Sequence, residues 1–172
     1  MDQNKEREML SDKLEKALNL QIKKELSNSY LYFGMSLYFR DMNLNGFGKW
    51  MHVQADEERG HACKLIDYVI ERAGKVQLME IDAPAPQWKS PLAVCEAAYE
   101  AECDNSKQID KLMDLALKEN DHATSVMLQW FVSEQVEEEA QTMELVEHVK
   151  LTKDAPGPLL MLDHHLGARG EK

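Results

Sequence analysis

The most informative residues of this chain lie in the sequence Asp56-Glu57-Glu58-Arg59-Gly60-His61. Within it, Glu58 and His61 have the spacing Glu-x-x-His, and both fall on the apolar stripe of one long amphipathic helix. A carboxylate and an imidazole that point into a helix bundle need a chemical reason to lie there, because burying an unpaired charge is costly. The other long segments of the chain supply that reason.

Each of four long helical segments carries one glutamate on its interior stripe, with apolar residues towards both ends. The stripe of the third segment, for example, runs Cys95, Tyr99, Glu102, Ser106, Ile109. The four glutamates are Glu25, Glu58, Glu102 and Glu138. Burying four bare carboxylates would cost several kcal/mol each, against a total stability of about 5–15 kcal/mol for a domain. The pattern therefore predicts cations between the helices.

The charge balance indicates a dinuclear metal site. Four carboxylates and one neutral imidazole balance two divalent cations, and they also balance two trivalent cations once an oxo bridge adds its two negative charges. Oxygen ligands alone would suit magnesium, calcium or manganese. The nitrogen of His61 shifts the preference to iron, with zinc or manganese as competitors.

A different class of protein could also contain these residues. A single glutamate on a helix stripe is usually a boundary residue whose carboxylate reaches water, and a single histidine is usually a hydrogen-bonded core residue. The alternative is thus a metal-free helical interaction module with an acidic groove, in which a terminal apolar helix binds the partner. The coincidence of all five residues on four stripes favours the metal site.

Composition limits the other possibilities. The chain has 172 residues, 44% of them hydrophobic, which suits one domain spanning 1–172. The net charge of −11 argues against nucleic-acid binding. The first thirty residues are too charged for a secretory signal, and no apolar run approaches the ~18 residues of a membrane span, so we expect a cytoplasmic protein and no membrane partner.

Cys63, Cys95 and Cys103 form no Cys-x-x-Cys pair and are expected to be buried free thiols.

Periodicity and capping signals predict an all-α fold. The expected bundle helices are 11–40, 46–73, 91–118 and 122–151, with a short terminal helix at 157–167 and a flexible segment at 1–10. Ser11 and Ser90 are predicted N-caps, and Gly74 is the predicted left-handed cap of the second helix. Between the second and third helices lies a proline-containing segment, 75–90, long enough to cross the bundle. The leucines of the terminal helix predict packing against neighbouring copies of the chain.

Two hairpins joined by one long crossover, together with Glu-x-x-His on one helix, resemble the ferritin-like four-helix bundle. The chain is most similar to the non-haem bacterial and archaeal branch of the ferritin family, from Leu14 to about Leu166. The most specific stretches are Asp-Glu-Glu-Arg-Gly-His-Ala at 56–62 and Leu-Gln-Trp-Phe-Val-Ser-Glu-Gln-Val-Glu-Glu-Glu at 128–139.

The resemblance implies a set of site residues. It makes Glu25, Glu58 and His61 the ligands of a first iron, with Glu58 bridging to a second iron held by Glu102 and Glu138. Two further residues match positions beside the pair: Gln135 close to the second iron, and Tyr32 next to the centre. A third iron position would use Glu57, Glu134, Glu137 and Glu138.

The resemblance also implies an activity. It is that of a ferroxidase, which oxidises Fe(II) with dioxygen or hydrogen peroxide and stores the product as a ferric mineral inside a hollow homo-oligomeric 24-subunit shell. Haem is not expected, because Arg59 follows Glu58 where bacterioferritin has its haem-ligating methionine, and Met51 on the inner stripe is interpreted as a core residue. Gln141 stands where bacterioferritin and rubrerythrin would repeat the histidine of Glu-x-x-His.

Overall fold

The computed structural model describes residues 10–85, 87–153 and 155–169, and within these residues every regular element is a helix. The five helices are α1 Asp12–Asp41, α2 Asn45–Glu71, α3 Pro91–Lys118, α4 His122–Thr152 and α5 Pro156–Leu166. The all-α bundle with a short fifth helix is confirmed. Of the segment expected to be flexible, residues 1–9 lie outside the described part, and Leu10 is buried.

The helices begin where short polar side chains can cap them. Ser11 Oγ accepts a hydrogen bond from the Leu14 amide at 3.2 Å, and Ser90 Oγ accepts one from the Ala93 amide at 3.1 Å, as predicted. At the start of α4, Asp121 Oδ1 accepts the Thr124 amide at 3.0 Å. Each oxygen satisfies an amide that has no partner within the helix.

The end of α2 differs from the prediction. The helix ends at Glu71, and Ala73, with φ of 53°, takes the left-handed conformation expected of Gly74. The Gly74 amide instead donates to Val69 O at 2.8 Å. A Cβ atom on Gly74 would lie 3.0 Å from Val69 Cγ1 and 3.1 Å from Leu10 Cδ1. Close packing, rather than a positive backbone angle, therefore favours glycine at this position.

The bundle consists of two helical hairpins. One hairpin is α1 against α2 and the other is α3 against α4, and residues 72–90 connect them. The hairpins approach each other most closely along α1 and α3, whereas no Cα atoms of α2 and α4 lie within 8 Å of each other. The α2–α4 side of the bundle is thus its wider side.

Two apolar clusters fill the core, and a polar layer separates them. The α5-end cluster includes Phe39, Phe47, Met51, Leu145 and Leu166. The α1-start cluster includes Leu14, Leu18, Leu65, Ile109 and Leu128. This arrangement confirms the predicted stripes, although Tyr99 and Ser106 on the third stripe are only half-buried. The predicted core role of Met51 is also confirmed.

Helix α5 folds back onto its own chain, where it lies against α2 and α4. Asp163 Oδ1 accepts the Phe47 amide at 2.9 Å, and a Cβ on Gly46 would lie 1.7 Å from Asp163 O. Leu166 is buried, and Leu159 and Leu162 pack on the α5-end cluster, so these three leucines contact their own chain. Packing of α5 against neighbouring copies stays a prediction. The helix still exposes Leu160 and Met161, at 58% and 76%.

Two smaller expectations can be compared with the structure. Cys95 is buried, but Cys63 is exposed and Cys103 is half-buried, so the expectation of three buried thiols is wrong. Cys63 lies on the outer face of α2, where a small polarisable side chain can meet solvent. Among the described residues, no helix has the length and apolar character needed to span a bilayer.

Candidate metal centre

The structure brings the four stripe glutamates and His61 into one buried layer between the two apolar clusters. Glu25, Glu58 and Glu102 are fully buried, Glu138 is 2% exposed and His61 is 6% exposed. Two groups of possible metal ligands form here, Glu25–Glu58–His61 and Glu58–Glu102–Glu138, each with its ligand atoms within 4.8 Å of one another. Glu58 belongs to both groups and lies between them.

Glu58 receives no hydrogen bond from an amide or hydroxyl group. Both of its carboxylate oxygens are buried, and the neighbouring acid Glu25 can pair with them only while one of the two carboxyls is protonated. Burial, followed by the negative charges of Glu102 and Glu25, raises the pKa of Glu58 well above its ordinary value. A buried carboxylate without an amide or hydroxyl donor is costly unless a cation binds it, so the Glu58 oxygens fit a bridging ligand.

His61 offers a neutral nitrogen to the same space. Its Nδ1 atom lies 3.7 Å from Glu58 Oε1 and 3.8 Å from Glu25 Oε2, and it has no hydrogen-bond partner. Burial lowers the pKa of His61 to about 4, so the ring is neutral near pH 7. A neutral imidazole with an unpaired nitrogen facing two carboxylates is the form in which histidine binds metals.

The α3–α4 half holds its carboxylates through hydrogen bonds. The Tyr32 hydroxyl donates to Glu102 Oε1 at 2.5 Å, and Gln135 Nε2 donates to the Glu102 backbone oxygen at 3.2 Å. Burial raises the pKa of Glu102 to about 7, and burial together with the charge of Glu102 raises that of Glu138 to about 8. Both predicted neighbours of the centre, Tyr32 and Gln135, therefore contact Glu102 directly.

The sequence analysis assigns no role at the centre to three side-chain amides, those of Gln21, Asn105 and Gln54. Gln21 Nε2 donates to Glu25 Oε1 at 2.7 Å and to Asn105 Oδ1 at 2.7 Å. Asn105 Nδ2 in turn lies 3.3 Å from both Glu25 Oε2 and Gln135 Oε1. Gln54 Nε2 donates to Glu138 Oε2 at 2.5 Å. These amides fix the orientation of the outer carboxylates and leave the oxygens of Glu58 without an amide donor.

The predicted third-ion residues are only partly brought together. Glu134 Oε1 lies 3.9 Å from His61 Nε2, and Glu134, Glu138 and His61 form a third possible ligand group. Burial, then the charges of Glu137 and Glu57, raises the pKa of Glu134. Glu57 and Glu137 are exposed, and neither belongs to a ligand group among the described residues. Glu57 instead forms an ion pair with Arg169, a residue that no sequence pattern indicates.

Comparisons with known proteins agree with this geometry. A family model described as a ferritin-like domain matches residues 15–152. A bacterial non-heme ferritin from Bacteroides fragilis (strain 638R) is 42% identical over 161 residues, covering 94% of this chain and all of the relative. A bacterial non-heme ferritin from Campylobacter jejuni is 39% identical over 158 residues, covering 92% and 95%. Among solved structures, an open pore ferritin from the hyperthermophilic archaeon Archaeoglobus fulgidus matches with a TM-score of 0.92 and 44% identity, covering 93% of this chain and 98% of that chain.

Proposed function

Since this chain belongs to the ferritin family, we propose that its buried layer binds two iron ions and oxidises them before they are stored. The protein is an iron-storage ferritin, and ferroxidase activity is characteristic of the family. Iron here is the substrate and the cargo of the protein. The proposal assigns each residue of the layer a part in handling it.

In the proposed centre, Glu25, Glu58 and His61 bind the first iron. Glu58 bridges to the second iron, which Glu102 and Glu138 bind, while Gln135 and Tyr32 orient Glu102. Hard anionic oxygens stabilise Fe(III) over Fe(II), so this ligand set makes a bound ferrous pair easy to oxidise. One nitrogen ligand among several carboxylates holds the product loosely enough to be passed onward.

A third iron is proposed next to the pair. Glu134 and Glu138 carry it, with Glu57 and Glu137 as the outer carboxylates. The raised pKa of Glu134, due first to burial and then to Glu137 and Glu57, supports a cation at this position. The third position would receive oxidised iron as it leaves the pair.

The assembly and setting are also proposals. A homo-oligomeric cage agrees with the relatives, and we propose 24 subunits, dioxygen or hydrogen peroxide as oxidant, and a cytoplasmic setting. The alternative of a metal-free module with an acidic groove is not favoured, because Glu25, Glu58, Glu102 and Glu138 are buried rather than lining a surface.

The buried, doubly shared carboxylate of Glu58 is the observation that carries the proposal. We expect Glu58→Gln, which keeps the side-chain shape and removes its charge, to slow the fast phase of Fe(II) oxidation by at least about tenfold. Glu71→Gln is the matched control, since Glu71 is an exposed glutamate on the same helix. Stopped-flow oxidation would measure both variants. Wild-type speed in Glu58→Gln, with the particle intact, would contradict the assignment of the bridge.

A further inference from the structure

The residues that follow α5 return over the start of α2. Lys49 Nζ donates to Gly167 O at 2.8 Å, and the Arg169 guanidinium lies 4.3 Å from the centre of the Trp50 ring. Only 18% of the Arg169 side chain is exposed. The end of the described chain therefore places a permanent positive charge beside the wide side of the bundle.

Arg169 binds the residues that surround the proposed third iron. Its Nη2 atom donates to Glu57 Oε2 at 2.6 Å, to Gln54 Oε1 at 2.9 Å and, more weakly, to Gln141 Oε1 at 3.4 Å. Gln54 then donates to Glu138 at 2.5 Å. A single guanidinium thus connects Glu57 to the carboxylate that the pair and the third ion would share.

Through this contact the Glu57 carboxylate is already paired with a cation, the Arg169 guanidinium. A carboxylate that is held by a guanidinium loses that pairing when it turns to a metal ion, so the two cations compete. We propose that Arg169 is a positioning residue that competes with the third iron for Glu57. When an ion fills the third position, residues 167–169, called here the C-terminal segment, are released from α2. The inference rests on the proposed third iron position and adds a residue that regulates access to it.

The contact of Arg169 with Glu57 and Gln54 uses only part of the hydrogen-bonding capacity of the guanidinium. The Nη1 atom of Arg169 is buried without a hydrogen bond, so the guanidinium is held through only one of its two outer nitrogens. Beyond Nη2, the segment is held by the Gly167 carbonyl, by the contact of the guanidinium with the Trp50 ring, and by hydrogen bonds from the backbone amides of residues 167–169 to carbonyls of α5. Coupling between two binding events is reciprocal. If contact of the C-terminal segment with α2 lowers the affinity for the third ion by some factor, the bound ion lowers the affinity of the segment for α2 by the same factor.

Ion binding to the metal-free assembled protein tests the competition. We expect calorimetric titration with Co(II) to resolve a third, weaker equivalent per chain in the wild type. Arg169→Gln should tighten that equivalent by about three- to tenfold, the size of one partly exposed ion pair, and change the affinity of the first two by less than about twofold. The charge-matched control is Arg59→Gln, which removes an exposed arginine from α2 that pairs with Asp56 rather than Glu57. It should leave all three affinities unchanged.

Hydrogen exchange tests the release of the segment directly. In the wild type, amides 167–169 should exchange faster after the third equivalent of Co(II) than after the second. In Glu57→Gln they should exchange fast without metal and respond no further. These readouts depend on segment motion and not on oxidation.

The outcomes separate the two proposals. A third equivalent that binds Arg169→Gln and wild type equally, with exchange at 167–169 unaffected by metal, would show that Arg169 only packs the segment and would overturn its role. If both proteins bind only two ions, the third iron position itself is wrong and both proposals fall. Particle size measured for every variant ensures that the comparison is made on assembled protein.

Discussion

At the scale of single residues, the centre is a group of acids that the fold holds partly protonated when no cation is present. Burial is the first cause of the raised pKa of Glu25, Glu58, Glu102 and Glu138. The values for Glu102, about 7, and Glu138, about 8, lie in the range where cells work. Binding of iron by these acids, as we propose, would displace protons, so the affinity of the centre for metal should rise with pH.

The same two pKa values predict how the metal-free protein responds to pH. Both acids bind protons more tightly in the folded chain than in the unfolded chain, so stability is lost as pH rises through 7 and 8. His61 acts in the opposite direction, since its pKa is lowered to about 4, but only below its ordinary value of 6.5. Between pH 6.5 and 8 we expect Glu102 and Glu138 together to lower the free energy of unfolding per chain by about 2 kcal/mol. Calorimetry of the metal-free protein across this range measures the change.

Glu138→Gln checks the source of that slope. The variant removes the acid with the higher of these two pKa values and should leave about 1 kcal/mol or less of this fall, the part due to Glu102. Glu71→Gln, on the exposed face of α2, should reproduce the wild-type slope. A flat profile in the wild type would mean that the carboxylates are ionised at no cost, contrary to their burial.

Which site residues were predictable depends on how wide a buried helix face is. A stripe that takes one residue per turn passes through Glu25 and Glu102 and identifies both. Gln21 and Asn105 lie on the same faces, three residues after Leu18 and Glu102, but a single-file stripe passes beside them, because the buried face of a bundle helix is wider than one residue. Arg169 follows the last helix, where no periodicity exists to indicate its position.

At the scale of elements, capping chemistry explains both the successes and the failure. Ser11 and Ser90 cap as expected because a hydroxyl at that position satisfies amides within its own helix, which is a local property. Gly74 was misread because its role depends on Leu10, a residue distant in sequence. The placement of α5 on α2 and α4 is equally non-local and was not predictable from the composition of α5.

The contact between α2 and α5 depends on a residue without a side chain. Gly46→Ala would place a Cβ against the Asp163 backbone, and because backbone cannot rotate away, we expect α5 to shift and the chain to lose about 1–3 kcal/mol. Gly60→Ala is the matched control, since nothing lies within 4 Å of its Cβ position. That substitution should stabilise α2 by about 0.5–1 kcal/mol. Thermal midpoints moving in the same direction for both variants would contradict this account of the contact.

At the scale of the whole molecule, the two hairpins carry complementary halves of the site. Glu25, Glu58 and His61 belong to α1 and α2, whereas Glu102, Gln135 and Glu138 belong to α3 and α4. Single-chain packing leaves apolar side chains on the surface, and the two on α5, Leu160 and Met161, are among the most exposed. Exposed apolar residues of this kind suit burial between subunits.

The exposed face of α5 predicts an effect on assembly. Leu160→Gln with Met161→Gln should leave each chain folded but weaken the cage, because each side chain contributes about 1.5–3 kcal/mol when it is buried. Exchanging the two residues, Leu160→Met with Met161→Leu, keeps the apolar area and should preserve assembly. Native mass measurement and thermal midpoints compare the variants. An unchanged particle in the double glutamine variant would show that this face stays in solvent.

The division of the ligands between two hairpins has a mechanical consequence. The backbones of the hairpins approach most closely along α1 and α3, whereas α2 and α4 lie farther apart and meet through side chains such as Gln54 and Glu138. An ion bound by Glu58 and Glu138, as we propose, would link two residues from different hairpins, and, as with a disulfide, the link would restrict their separation without adding any packing. The iron that the protein collects would then also act as a cross-link that holds the α1–α2 hairpin against the α3–α4 hairpin.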